Sequence, residues 1–358
     1  MPEIWLNYGS TDVVLDIMAE NLEQKIDSEG KTLQDNEITE KLEKLNLFGQ
    51  TDMVVLHNSR SVQKMLNSLF TLCEQKSIQA PRILADPEIL GAVRAGLPAG
   101  CQTGEFEAES PDNLVFVSEV EFDGLFGYET TATRLIRRFG AEAMLSAYAK
   151  RQGNQPAPGH RTESLEEAKK FADRFEIGAI EIVANSSGMT DIVSGHPAKT
   201  VSAADMLESG SIRDAGQHKS VIVSTGKHSS NDTLARSLQS LWNCAGAVRK
   251  DGLAVLVAEC GGGLGSEALR QYVEGRLSAG QLQSPARYVD GMEGLLFLSE
   301  ARKNFQIGLV SVLPEFYSKK LGFVPLAGVK YSMDYILKTQ GARQKVAVVA
   351  DGARLLLR

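Results

Sequence analysis

Gly252-Leu-Ala-Val-Leu-Val-Ala-Glu-Cys-Gly-Gly-Gly-Leu-Gly-Ser-Glu-Ala-Leu269 decides how this chain is read. The apolar run from Leu253 to Ala258 is too short for a helix and stops at Glu259-Cys260, ahead of four glycines within five positions. Apolar residues at helical spacing follow at once (Ala268, Leu269, Tyr272, Val273). The order is a buried strand, a tight glycine turn and a helix start. Glycines allow a ligand close to the backbone, and the free N–H groups of a helix N-terminus favour an anion. The turn therefore predicts a seat for a small negatively charged molecule. Gly263-Leu-Gly-Ser-Glu-Ala268 also fits a GxGxxA dinucleotide fingerprint. No acidic residue closes a second strand about twenty positions on, which disfavours that reading.

The same alternation extends on both sides. Ser220–Ser224 reads as a strand, 232–249 as a helix, 266–276 and 294–303 as helices, Gly308–Val312 as a strand, and 315–320 and 332–340 as helices. Upstream, short strands are expected at 3–7, Met53–His57, Ile83–Ala85 and Asn113–Ser118, and a hairpin at Ile177–Val193. Helices are expected at Asp12–Ile26, Glu37–Leu45, Val62–Cys73, 163–174, 199–207 and within 129–151, and the strongest loop signal is Gln152–Gly159. Strand–helix alternation predicts an α/β fold of mostly parallel sheets covered by helices. At 358 residues the chain is long enough for two domains.

Composition excludes several classes. A net charge of −7 with no long basic block argues against nucleic acid. No stretch reaches the roughly 18 apolar residues of a membrane span, and Met1–Leu6 lacks the basic and apolar parts of a signal peptide. The four cysteines, Cys73, Cys101, Cys244 and Cys260, form no CxxC pair, which disfavours a zinc site or a disulfide framework. A cytoplasmic protein is the expectation.

Several segments, in order, resemble the nickel-pincer lactate racemase family: Ser224-Thr-Gly226 at a strand end, the Val257–Leu269 glycine block, and the closing Lys345–Leu357. Ile177–Val193 resembles that family's hairpin, and Asn113–Glu119 the strand leading into its metal-binding loop. The resemblance implies a two-domain α/β protein, 1–214 completed by closing strands at about 342–358 around Asp351-Gly352 and 215–341, with a ligand cleft between the domains and the last strand returning to the first. It also implies a nickel pincer nucleotide held by a lysine, with a histidine ligand and two further histidines for proton transfer. Here the sequence departs. The Val120–Arg134 loop has neither His nor Lys, Asp86-Pro87-Glu88 stands where a Gly-Phe-His-Arg-Pro turn is expected, and Ala147-Tyr148 where Ala-Asn-His is expected. No cofactor is therefore assigned with certainty.

The family's Asp-His-Thr-Arg-Pro is matched by His57-Asn58-Ser59-Arg60-Ser61. This implies a substrate site of Asn58, Ser59 and Arg60, with Arg60 clamping a carboxylate, faced by Glu259, Gly261, Gly262, Gly263, Gly265 and Glu267. Arg60 at a helix start reads equally as a surface ion pair. His57 and His228 are the candidate bases or ligands; His160, His196 and His218 read as ordinary polar residues. Cys260 reads as a buried thiol beside the turn, or as one activated by the following helix. Glu119 and Glu121 share one face near Asp123 and Glu129, a pattern open to acid–base work, a divalent cation or a solvated loop. No metal site is assigned.

Two functions are expected from these residues. One is an isomerase, a racemase or epimerase of a small 2-hydroxy acid. The other is a non-catalytic small-carboxylate-binding paralogue that has lost the pincer chemistry. The expected partner is a small carboxylate, with no nucleic acid and no membrane; homo-oligomer formation is left open.

Overall fold

The computed structural model describes residues 3–45, 52–151, 158–199, 202–226 and 231–358. Two six-stranded sheets carry the fold, each flanked by helices. The first runs Gly188–Gly195, Gly178–Asn185, Val115–Glu119, Asp52–Val55, Arg82–Ala85, Thr103–Glu105. Only its first pair, the expected hairpin, is antiparallel. The second runs Val324–Leu326, Gln306–Val310, Val248–Val257, His218–Ser224, Val346–Val349, Leu22–Ile26, and is parallel throughout. Parallel strands are covered on both faces, so they read as continuous apolar runs. Leu253, Ala254, Val255, Leu256 and Val257 are all fully buried.

The expected helix over Asp12–Ile26 is instead two strands, Thr11–Asp16 and Leu22–Ile26. Thr11–Asp16 pairs with Glu3–Tyr8 as a hairpin, and Leu15 in it and Ile17 just beyond its end are buried two positions apart. With Ile4 and Leu6 they cover one face of the second sheet against Ile222, Val255 and Val348. Val14, Ile17, Met18 and Leu22 match helical spacing by coincidence; burial follows the strand period. Strand Thr103–Glu105, hairpin Glu121–Asp123/Gly127–Glu129 and helix Pro87–Ala95 were not anticipated. Pro87 opens its helix, where its missing N–H costs nothing.

The closing segment reaches both sheets. Strand Val346–Val349 joins the second sheet, between His218–Ser224 and Leu22–Ile26. Leu22–Ile26 and Val346–Val349 thus join the sheet of the 215–341 region by hydrogen bonding. The return to the first sheet is made by a side chain. Arg354 donates from Nη1 to the Asn185 carbonyl at 2.6 Å and pairs through Nη2 with Glu119 Oε1 at 2.5 Å. Leu356–Leu357 then pairs with Ile212–Arg213.

Candidate functional site: the cleft between the two sheets

Ligands of α/β sheets bind beyond the carboxyl ends of the strands. Here the carboxyl ends of both sheets border one cleft of about 640 Å³. Leu56, His57 and Asn58 leave strand Asp52–Val55 from one side; Asp232, Arg236, Gly262 and Gly265 come from the other. The remaining wall is hairpin 121–129 with Arg137, and Asp290–Gly294 at the start of helix Met292–Asn304.

His57 is 4% exposed, lines this cleft, and has no hydrogen-bond partner on either ring nitrogen. The Glu121 carboxylate stands 3.9 Å from Nε2, beyond bonding distance. Burial drives its pKa down to about 3, further than Glu121 can restore it. The imidazole is therefore neutral at ordinary pH, offering one donor and one acceptor. Asn58 is also buried and accepts from Gln63 Nε2 at 3.0 Å.

The neighbouring residues of the motif are placed differently. Ser59 caps helix Arg60–Gln75, accepting from the Val62 amide at 3.1 Å, and donates to Glu119 Oε2 at 2.5 Å. Ser59 and Arg60 do not line the cleft, and Arg60 is exposed at the first helical position. The guanidinium that faces the cleft is Arg236, in the first turn of helix Leu234–Cys244; among the described residues it has no ion-pair partner. Its charge is felt by His57 and Asp290.

The glycine turn is present but serves a different purpose. The carbonyls of Gly263 and Leu264 accept from the Leu234 and Ala235 amides at 2.9 and 3.0 Å, so the turn satisfies the start of helix Leu234–Cys244. The Gly262 and Gly263 amides are engaged by the Asp232 and Cys260 carbonyls, each at 3.0 Å. The helix that follows, Glu267–Val273, has its first amides met by Asp290 and Ser266. Asp232 brings its own carboxylate to the turn: Oδ1 lies 3.1 Å from where a Gly261 Cβ would stand, and Oδ2 3.1 Å from that of Gly262. The predicted anion seat is thus faced by a carboxylate of the chain itself. Glycine is needed here for packing. Gly265 has φ of +71°, and a Cβ there would collide with Thr233. Gly265→Ala is expected to cost about 2 kcal/mol in urea unfolding, from strain and collision together. An unchanged midpoint would remove the packing role.

Gly261, Gly263, Glu259 and Glu267 do not line the cleft. The Glu259 carboxylate packs over Gly9 in the hairpin turn, and Glu267 bonds Arg270 and Gln271 of its own helix. Cys260 is buried, and burial pushes its thiol up to about 12, opposite to activation. His228 lies outside the described residues. His218 is a buried strand residue bonded to Glu23 Oε2 at 2.8 Å.

The acidic residues read from the sequence are held by arginines. Arg134 meets Glu121 at 2.9 Å and Glu129 at 3.7 Å. Arg137 meets Asp123 at 3.1 Å, Glu129 at 3.6 Å and Glu293 at 2.7 Å, and donates to Tyr288 Oη at 2.9 Å. Burial raises Asp123 to about 7 against the pull of Arg137, and raises Asp351, behind the cleft, to about 6. Sequence reasoning missed Arg137, Arg236, Asp232 and Arg354. The clustering of arginines at 134, 137 and 138 on one helix was the available signal.

A lysine-tethered, histidine-ligated pincer nucleotide can be tested against these walls. Among the described residues lining the cleft there is no lysine, and His57 is the one imidazole. No group of three His, Cys, Asp or Glu among the described residues is placed to hold a metal ion. Hairpin 121–129 is filled by the ion pairs of Arg134 and Arg137. These residues do not fit that group.

Two mostly parallel sheets with a shared cleft at their carboxyl ends define an α/β protein with the lactate racemase fold. The backbone matches the lactate racemase apoprotein from Thermoanaerobacterium thermosaccharolyticum with a TM-score of 0.71 and 13% identity, covering 100% of each chain. A Thermotoga maritima protein of solved structure matches at TM-score 0.66 and 9% identity, covering 92% of this chain and 100% of its own. No protein-family model and no curated protein matches the sequence. Among the described residues no helix is long and apolar enough to cross a membrane.

Proposed function

We propose that this chain binds a small carboxylate in the cleft and does not racemise it. The observation that carries this reading is His57. A buried, neutral imidazole with two unpartnered nitrogens is costly to leave unsatisfied, and a polar ligand group meets that need. The same group is a poor base. With its pKa at about 3, it is far from the value near neutrality that general-base work favours. Moving a proton from one face of an α-carbon to the other also calls for a group on each side. His57 has no second imidazole opposite it among the described cleft residues. Arg236 supplies the positive charge that Arg60 was expected to bring, and Asn58 a further polar contact.

The test is thermal unfolding with L-lactate and L-2-hydroxy-4-methylpentanoate. A ligand bound only by the folded form at a hundredfold excess over its Kd adds about 2.7 kcal/mol, enough to raise Tm measurably. Arg236→Ala is expected to abolish the shift and Arg60→Ala to leave it intact. The reverse pattern would return the clamp to Arg60. Chiral chromatography is expected to show no interconversion of enantiomers; steady turnover would establish the isomerase instead.

A further inference from the structure

We propose that the ligand of this cleft carries a cationic nitrogen beside its carboxylate, an amino acid in preference to a hydroxy acid. This rests on the reading of the cleft as a small-carboxylate site and specifies its ligand class. Seven carboxylates line the cleft against two guanidiniums, Arg137 and Arg236. Arg137 is already surrounded by Asp123, Glu129 and Glu293. Glu88 and Asp232 have no ion-pair partner among the described residues, and Asp290, 62% exposed at its side chain, reaches Arg137 only at 4.0 Å. Arg236 is the single open cation of the described wall. It can take one carboxylate, and the remaining open charge is negative.

A second observation points to a ligand independently of these acids. His57 is buried, unpartnered at both nitrogens and part of the cleft wall. As a neutral ring it has one acceptor nitrogen, which an ammonium N–H satisfies. An added anion is repelled by the carboxylates already present, and an added cation is attracted by the same interaction. A hydroxy acid brings one negative charge into this field and nothing to offset it. An α-amino acid brings its ammonium to the side of Asp232 and Asp290 and its carboxylate to Arg236. Leu56, Ile89, Ala92 and Leu238 offer apolar wall for a side chain.

Calorimetric titration of the full chain with two matched pairs tests this: L-alanine against L-lactate, and L-leucine against L-2-hydroxy-4-methylpentanoate. In whichever pair binds, the amino acid is expected to bind at least tenfold more tightly. Asp232→Asn and Asp290→Asn are expected to shrink that ratio, and Arg236→Ala to weaken both members alike. A hydroxy acid that binds as tightly as its amino partner overturns the inference and leaves the carboxylate site standing. No binding by any of the four overturns both. Circular dichroism of each variant separates lost binding from lost folding.

Discussion

Between pH 7 and pH 4, the stability of His57→Phe relative to the parent protein is expected to rise by about 3 kcal/mol. The parent holds His57 neutral, with a pKa lowered to about 3 from the ordinary 6.5. The unfolded chain protonates the same ring below about 6.5. Across that window the unfolded state binds more protons, so stability is full above 6.5 and is lost as pH falls toward 3. Phenylalanine removes the titration and the two unsatisfied nitrogens while keeping a planar ring. Asp123 and Asp351 act with opposite sign, since burial raises them to about 7 and about 6. Their contribution is lost as pH rises, and it is common to both proteins, so it cancels in the difference. Urea unfolding at a series of pH values reads the result directly. Parallel curves for the two proteins would mean that His57 already carries its proton, or that it is solvated in the fold.

The second large effect concerns Arg354. Arg354→Met is expected to cost about 3–5 kcal/mol, because Glu119 would be left buried without the partner that sustains its charge. Burial already raises the pKa of Glu119, and Arg354 is the main force opposing that rise. In the variant the carboxyl gives up its charge, and folding carries the penalty. The double variant Glu119→Gln/Arg354→Met is expected to recover most of the loss. The amide keeps an acceptor for Ser59, and the uncompensated charge of Glu119 is gone. Denaturant midpoints of the two singles and the double form the cycle. Additive losses would show that the two side chains act separately and that the segment is held by backbone pairing alone.

The parts of this molecule that were legible in the sequence are those set by local pattern. Met53–Leu56, Ser220–Ser224 and Leu253–Ala258 are apolar runs of strand length, and each became a buried parallel strand. His57 and Asn58 follow one such run, and Gly262 and Gly265 another; all four reach the cleft. The turn itself was legible, yet its role depended on Asp232 and on helix Leu234–Cys244, which local pattern does not bring to it. Arg60 and Arg236 each open a helix near a strand end, and only the packing of the lobes decides which one faces inward. The pairs Arg354 with Glu119 and Arg137 with Glu293 join positions far apart in the chain, so no motif announces them. Asp12–Ile26 failed for a different reason: its apolar residues satisfy a period of 3.6 and a period of 2 at once.

The pairing of Leu22–Ile26 with Val346–Val349 governs how this protein can be made. During synthesis the early strand emerges from the ribosome long before its only sheet neighbour exists. The glycine-turn sheet stays open at His218–Ser224 until the strand between them is complete. Units of a fold usually form in the order of their synthesis, and this sheet closes only after Val346–Val349 has been made, with Leu22–Ile26 unpaired until then. A circular permutant that places residues 342–358 ahead of residue 3 would let the two strands meet early, and it offers a route to faster, cleaner refolding.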